Sequence, residues 1–149
     1  MSCNRKSAIT LAGSREPLNG SMQTRGDTPS FSIKIRGTSL TGASLRFTAK
    51  TCVDDPDSIA EIKKTSGTGG GIVIDADNST ADLLLATMKW SKLDTQTIDI
   101  VPTPDGKPGK VKLNYDLQMV TSGGDVLTVE GPKEDAHFWL LGDITLTNS

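Results

Sequence analysis

Along residues 110–120, KVKLNYDLQMV, apolar and polar side chains alternate without a break. Val111, Leu113, Tyr115, Leu117 and Met119 take one parity, and Lys112, Asn114, Asp116 and Gln118 take the other. A period of two places one set on each face of a half-buried strand. Ser122-Gly123-Gly124-Asp125 supplies turn residues, and Val126, Leu127 and Val129 resume the apolar pattern. Residues 110–131 therefore read as a hairpin. The same alternation marks TRGDTPSFSIKIRG, with Phe31, Ile33 and Ile35 inward against Ser32, Lys34 and Arg36. It returns in ASLRFTAKT, with Leu45 and Phe47 inward.

Shorter segments continue the pattern. Turn chemistry at CVDDPDSI, where Asp-Pro favours a reversal, leads to a strand through Ile59 and Ile62. The flexible SGTGGG precedes a short strand at IVI. In TADLLLATMKWSKLD the run of leucines suits either a buried strand or a helical turn. We place a strand at 80–86 and a helical turn at 87–93, with Trp90 and Leu93 folded back on the core. Residues 94–109 read as a long loop with a short edge strand at 97–101, because the prolines there exclude a central strand. AHFWLLGDITLT closes the chain as one strand kinked at Gly142.

About seven strands at intervals of roughly 8–12 residues, with almost no helix, predict an all-β fold. An immunoglobulin-like antiparallel β-sandwich is favoured, with a short closed barrel as the alternative. The expected core is Phe31, Ile33, Ile35, Leu45, Phe47, Ile72, Ile74, Leu83, Leu85, Leu113, Tyr115, Leu117, Leu127, Phe138 and Leu140. Residues 1–23 are polar, interrupted by Gly13, Pro17 and Gly20, and without sustained periodicity. They read as an extended N-terminal arm ahead of a sandwich domain at 24–149. Such a segment buries too little apolar surface to order itself without a partner.

Composition adds exclusions. With 149 residues the chain has the length of one domain, and 15 glycines with 4% aromatics suit strands and turns. A formal charge of -2 gives no basic excess, so no nucleic-acid partner is expected. Apolar runs are too short to span a bilayer, so no membrane is expected either. The first twenty residues lack the apolar stretch of a secretory signal, which suggests synthesis in a cytoplasm.

Chemistry is sparse. Cys3 and Cys52 are far apart, with no CxxC pair and a single histidine, His137, so no metal centre is expected. They read as reduced thiols; the alternative is that Cys3 crosslinks to Cys52 or to a neighbouring subunit after release into an oxidising medium. His137 sits beside Phe138 and Trp139 in an expected strand, with no partner constellation. The acidic groups Asp54, Asp55, Asp57 and Asp75, Asp77, Asn78 lack the spacing of a twelve-residue calcium loop and suit turns instead. SGTGGG lacks the Gly-Lys-Ser/Thr ending of a phosphate loop. Arg25-Gly26-Asp27 matches an adhesion tripeptide but opens a strand, and Asn78-Ser79-Thr80 is a glycosylation signal only in a secreted eukaryotic protein. No catalytic residue and no cofactor are expected, and the chain is not read as an enzyme.

One resemblance runs through the chain. Arg25 to Thr28 open an alternating strand, Leu40 to Ala43 precede a second, and Tyr115 to Met119 lead into the Gly123 to Asp125 turn. Asp143 to Thr145 close the series. In this order the segments resemble immunoglobulin-like domains of tailed-bacteriophage and prophage virion proteins, related to the N-terminal domain of baseplate upper proteins. The resemblance covers about residues 24 to 147, and the 94–109 segment and the arm are longer than the family pattern. It implies a structural virion protein of the tail, baseplate, neck or capsid surface, present in many copies or as a homo-oligomer among other virion structural proteins. It implies no enzymatic residue. Assembly contacts are then expected from the arm (Cys3, Arg5, Ile9, Leu11, Arg15, Leu18, Met22) and from the long loop (Ile98, Ile100, Pro102, Pro104). The alternative is a host-surface or carbohydrate-binding module of the virion, which would require exposed aromatic faces such as Trp90 and Trp139 side by side.

Overall fold

The computed structural model describes residues 8–52 and 60–142. Ten strands and a short helix follow in order: β1 (Ile9–Leu11), β2 (Met22–Thr24), β3 (Ser30–Arg36), β4 (Ser44–Lys50), β5 (Ile62–Thr65), β6 (Ile72–Ile74), β7 (Leu83–Lys89), α1 (Lys92–Gln96), β8 (Lys110–Val120), β9 (Val126–Glu130) and β10 (His137–Leu141). They form two sheets, β1-β3-β7-β6 and β2-β10-β8-β4-β5, with β9 also paired to β8. One hydrophobic core draws on both. The chain is an all-β sandwich.

The strongly alternating segments became the centre of each sheet. β3 lies between β1 and β7, and its Phe31, Ile33 and Ile35 are buried while Ser32, Lys34 and Arg36 are exposed. β8 is long because it serves three neighbours. Its first half pairs with β10, its last residues pair with β9, and β4 runs along the opposite edge. The Thr121–Asp125 turn closes the hairpin through Gly124, whose φ of 92° is open to glycine without strain. Between the sheets Trp90 meets Phe31 at 4.7 Å and Phe138 at 5.2 Å, and Phe47 meets Tyr115 at 5.4 Å, centroid to centroid. Each such ring contributes about 1.5–3 kcal/mol by leaving water.

The described part of the expected arm belongs to the sandwich. β1 pairs antiparallel with β3, and β2 pairs parallel with β10. Ile9 and Leu18 are fully buried, and the Leu18 amide donates to the Ile9 carbonyl. A domain boundary at residue 24 is therefore corrected: the sandwich already includes Ile9. Three-residue strands are too short to display a period, which is why they read as irregular. These two strands help to raise the count from about seven to ten, and β2–β10 is the one parallel pair among the strands described.

β7 corrects a second expectation. The strand runs on to Lys89, so the helical turn expected at 87–93 starts only at Lys92, and Leu84, Ala86 and Met88 are buried while Leu83 and Leu85 are only partly so. Pairing to β3 and β6 at once fixes that register, and a slip of one residue would turn every side chain over. α1 begins after Ser91, whose amide donates to Asp94 Oδ2 at 2.6 Å. Trp90 is buried as expected, but Leu93 is 72% exposed. Leu127 is 50% exposed rather than core, because β9 pairs with β8 alone. Ile74 packs against the core while only partly buried. Ile59, the Asp54 to Asp57 group and Asp143 to Thr145 lie outside the described residues.

The 94–109 segment holds no strand at 97–101. It is nevertheless anchored, since Ile98 and Ile100 are buried and the Gly142 amide donates to the Gly109 carbonyl at 2.9 Å. A Cβ at Gly109 would stand 1.9 Å from the Val101 carbonyl oxygen. A backbone atom cannot swing aside as a side chain can. Gly109→Ala should therefore displace the loop and destabilise the protein by about 1–3 kcal/mol. A lower urea midpoint at constant slope is the expected readout; an unchanged midpoint would mean that the loop does not lie against Gly109.

Candidate interaction surfaces

Period-two geometry decides which side chains of the larger sheet look outward. On β10, Phe138 and Leu140 are fully buried, so His137, Trp139 and Leu141 take the outer face. Trp139 lies in register with Met22 of β2 on one side and Lys112 of β8 on the other. The Lys110 ammonium stands 4.6 Å from the Trp139 ring centroid, a cation–π contact, and His137 meets the same ring edge-on at 6.5 Å. Met22 is 50% exposed. The result is an apolar strip of Met22, Trp139 and Leu141 with lysines along its flank.

Beside this strip, a shallow hollow of about 100 Å³ is lined by Thr48, Lys50, Asn114, Asp116, Pro132 and Asp135, among others. Two of its polar side chains bond to each other. The Thr48 hydroxyl donates to Asp116 Oδ1 at 2.7 Å. His137 Nδ1 lies 2.7 Å from the Asp135 carbonyl, which makes this nitrogen the donor, and the His137 amide donates to Asn19 Oδ1. The imidazole thus braces a turn instead of facing a nucleophile. Among the described residues, no three His, Cys, Asp or Glu side chains gather as metal ligands, and no helix is long and apolar enough to cross a membrane.

The expected contact residues scatter. Ile9, Leu18, Ile98 and Ile100 are buried in the chain's own core, so they are corrected from assembly contacts to core residues. Each lies in a short or irregular segment whose apolar side chain has the sandwich itself to bury it. Leu11 is half-buried; Arg15, Pro102 and Pro104 are exposed. Only Met22 joins the outward strip. Cys52 is exposed, while Cys3 and Arg5 lie outside the described residues, as does any Cys3–Cys52 crosslink. The adhesion-like tripeptide is tied down at both of its first two residues: Arg25 Nη1 donates to the Ile98 carbonyl at 2.8 Å, and the Gly26 amide donates to the buried Thr95 hydroxyl.

No family model matches the chain, and no curated protein does.

Trp139 was expected only as half of a sugar platform with Trp90, and not among the assembly contacts. Its signal was present as parity, because placing Phe138 and Leu140 inward obliges Trp139 to point out. Trp90, by contrast, is 1% exposed, so the two tryptophans do not share a face as a sugar platform would require. In the 94–109 loop, hydrogen bonds from the Thr103 hydroxyl and the Lys107 amide hold the Asp105 carboxyl below the usual range. That support for the turn is present at neutral pH and fades as pH falls through the lowered value.

Proposed function

We propose that the chain is a structural component of a tailed-bacteriophage virion, working by protein–protein assembly through the outer face of its larger sheet. The observation that carries this reading is the strip of Met22, Trp139 and Leu141 beside Lys110 and Lys112, set on a sheet whose other face is clamped by aromatic packing. Met22 is exposed and Trp139 and Leu141 are half-buried, and aromatic and methionine side chains on a rigid support are what protein interfaces favour at their centres. The motif order from Arg25 to Asp125 supports the same reading. So does strand order: β1-β3-β7-β6 and β2-β10-β8-β4-β5 correspond to ABED and GFCC′, with β1 and β2 as one first strand divided between the sheets. The β9 hairpin is then an insertion between the last two strands of that plan.

Two measurements test the reading. Gradient-purified particles from the encoding phage should contain the chain at a fixed ratio to the major structural proteins by quantitative mass spectrometry. Its absence from the particle band would refute the proposal. The double variant Met22→Ser/Trp139→Ser should keep the wild-type melting curve within a few degrees, because both side chains face outward. It should nonetheless enter particles at least about tenfold less, the equivalent of about 1.4 kcal/mol of lost contact. Normal incorporation would move the interface elsewhere.

A further inference from the structure

The charges of this chain are sorted by location. The ten strands carry nine Lys or Arg against only Asp116 and Glu130, of which Glu130 is buried. At one end of the sandwich the opposite holds. The 37–43, 75–82 and 121–125 turns contain Asp75, Asp77, Asp82 and Asp125 and no Lys or Arg. These turns adjoin: the Gly37 amide donates to the Asp82 carbonyl, the Leu40 amide donates to the Ala81 carbonyl, and a Cβ at Gly42 would lie 3.2 Å from that of Ser122. Aspartate in turns is ordinary. Less ordinary is that the same end exposes two large apolar side chains directly after Asp125, namely Val126 and Leu127, at 51% and 50%.

The acidic end thus offers apolar side chains bordered by carboxylates, while the Trp139 strip offers apolar side chains bordered by ammonium groups. Among the described residues, Asp82 and Asp125 have no ion-pair partner, and neither do Lys110 and Lys112. The two surfaces stand at opposite ends of β8, since Lys110 and Lys112 begin that strand and Asp125 follows its far end. The separation is on the order of 25–30 Å at 3.3 Å per residue. One molecule cannot join them to each other.

We propose that the acidic end of one copy seats on the Trp139 face of a second copy, giving a directional end-to-face contact that repeats from copy to copy. A contact between two different patches of one chain closes a ring or extends a row, as an array of subunits requires. Opposite charges around an apolar centre set its direction and exclude face-to-face and end-to-end pairing. The inference rests on the assembly reading above by naming the partner of the same face.

Sedimentation velocity of the full chain tests it. At about 0.01 M ionic strength, where charges act over about 30 Å, the weight-average sedimentation coefficient should rise with concentration. At about 1 M, where they act over about 3 Å, it should fall back towards the monomer value. The face variant Lys110→Glu/Lys112→Glu and the end variant Asp82→Lys/Asp125→Lys should each stay monomeric alone. Mixed in equal amounts they should associate again, because each presents the surface that the other has inverted. Circular dichroism checks folding; should a reversal unfold the chain, Lys110→Gln/Lys112→Gln and Asp82→Asn/Asp125→Asn should each weaken association. A monomeric wild type at low salt, variants that associate alone, or a mixture that stays monomeric would each overturn the proposal. If the chain enters particles but stays monomeric in solution, the end-to-face contact is wrong and the virion reading stands; if it is absent from particles, the virion reading fails.

Discussion

Deleting residues 1–23 is expected to abolish the cooperative unfolding transition. Ile9 and Leu18 fill the core beneath β3 and β10, and each is completely shielded from solvent. Emptying one such site by truncation to alanine costs about 2–5 kcal/mol. Losing two, together with the β1–β3 and β2–β10 ladders, reaches the 5–15 kcal/mol that a whole domain commonly has. The ladders matter beyond their hydrogen bonds. β1 covers one edge of the smaller sheet and β2 one edge of the larger, so the deletion exposes β3 and β10 as new unpaired edges, a setting that invites aggregation. The check is a thermal scan by circular dichroism with a matching size-exclusion run. A truncated protein that remains monomeric and melts sharply would show that these residues are dispensable after all.

This is also where the sequence was hardest to read. Alternation is legible when a strand is long enough to repeat it, and β3, β4 and β8 were legible for that reason. β1 and β2 have three residues each, and Leu18 lies in the turn between them, so their apolar side chains look like isolated residues in a polar stretch. β7 failed for a different reason. Leu83, Leu84 and Leu85 present no parity of their own, and the buried series continues through the small Ala86. Only the ladders to β3 and β6 decide which leucine turns inward. Ile98 and Ile100 alternate correctly but never find a strand partner, and Ile100 instead packs over Gly109 and Gly142, which no local pattern encodes. The candidate face was half legible. Trp139 follows from parity on β10, but its meeting with Met22 depends on a parallel pairing between residues more than a hundred positions apart.

Trp90→Ala should destabilise the sandwich by about 3–5 kcal/mol, the range for removing a large buried aromatic. Trp90 follows β7 directly and lies where the two sheets meet: its ring contacts Phe31 from the smaller sheet and Phe47 and Phe138 from the larger. Truncation would therefore open a cavity shared by both layers, which neither sheet can close by itself. One detail separates this tryptophan from the rings around it. Its indole Nε1 is buried with no hydrogen-bond acceptor among the described residues. A buried donor left unmade carries a penalty of about 1–3 kcal/mol, so the wild-type core contains a built-in loss that an aromatic lacking the donor avoids. Trp90→Phe should accordingly be far milder than alanine, near neutral, since the smaller void and the removed donor act in opposite directions. Chemical denaturation of the two variants gives the comparison at a common slope. Equal destabilisation by phenylalanine and alanine would mean that the indole nitrogen has an acceptor in solution, such as a buried water, and that its bond helps to hold the sheets together.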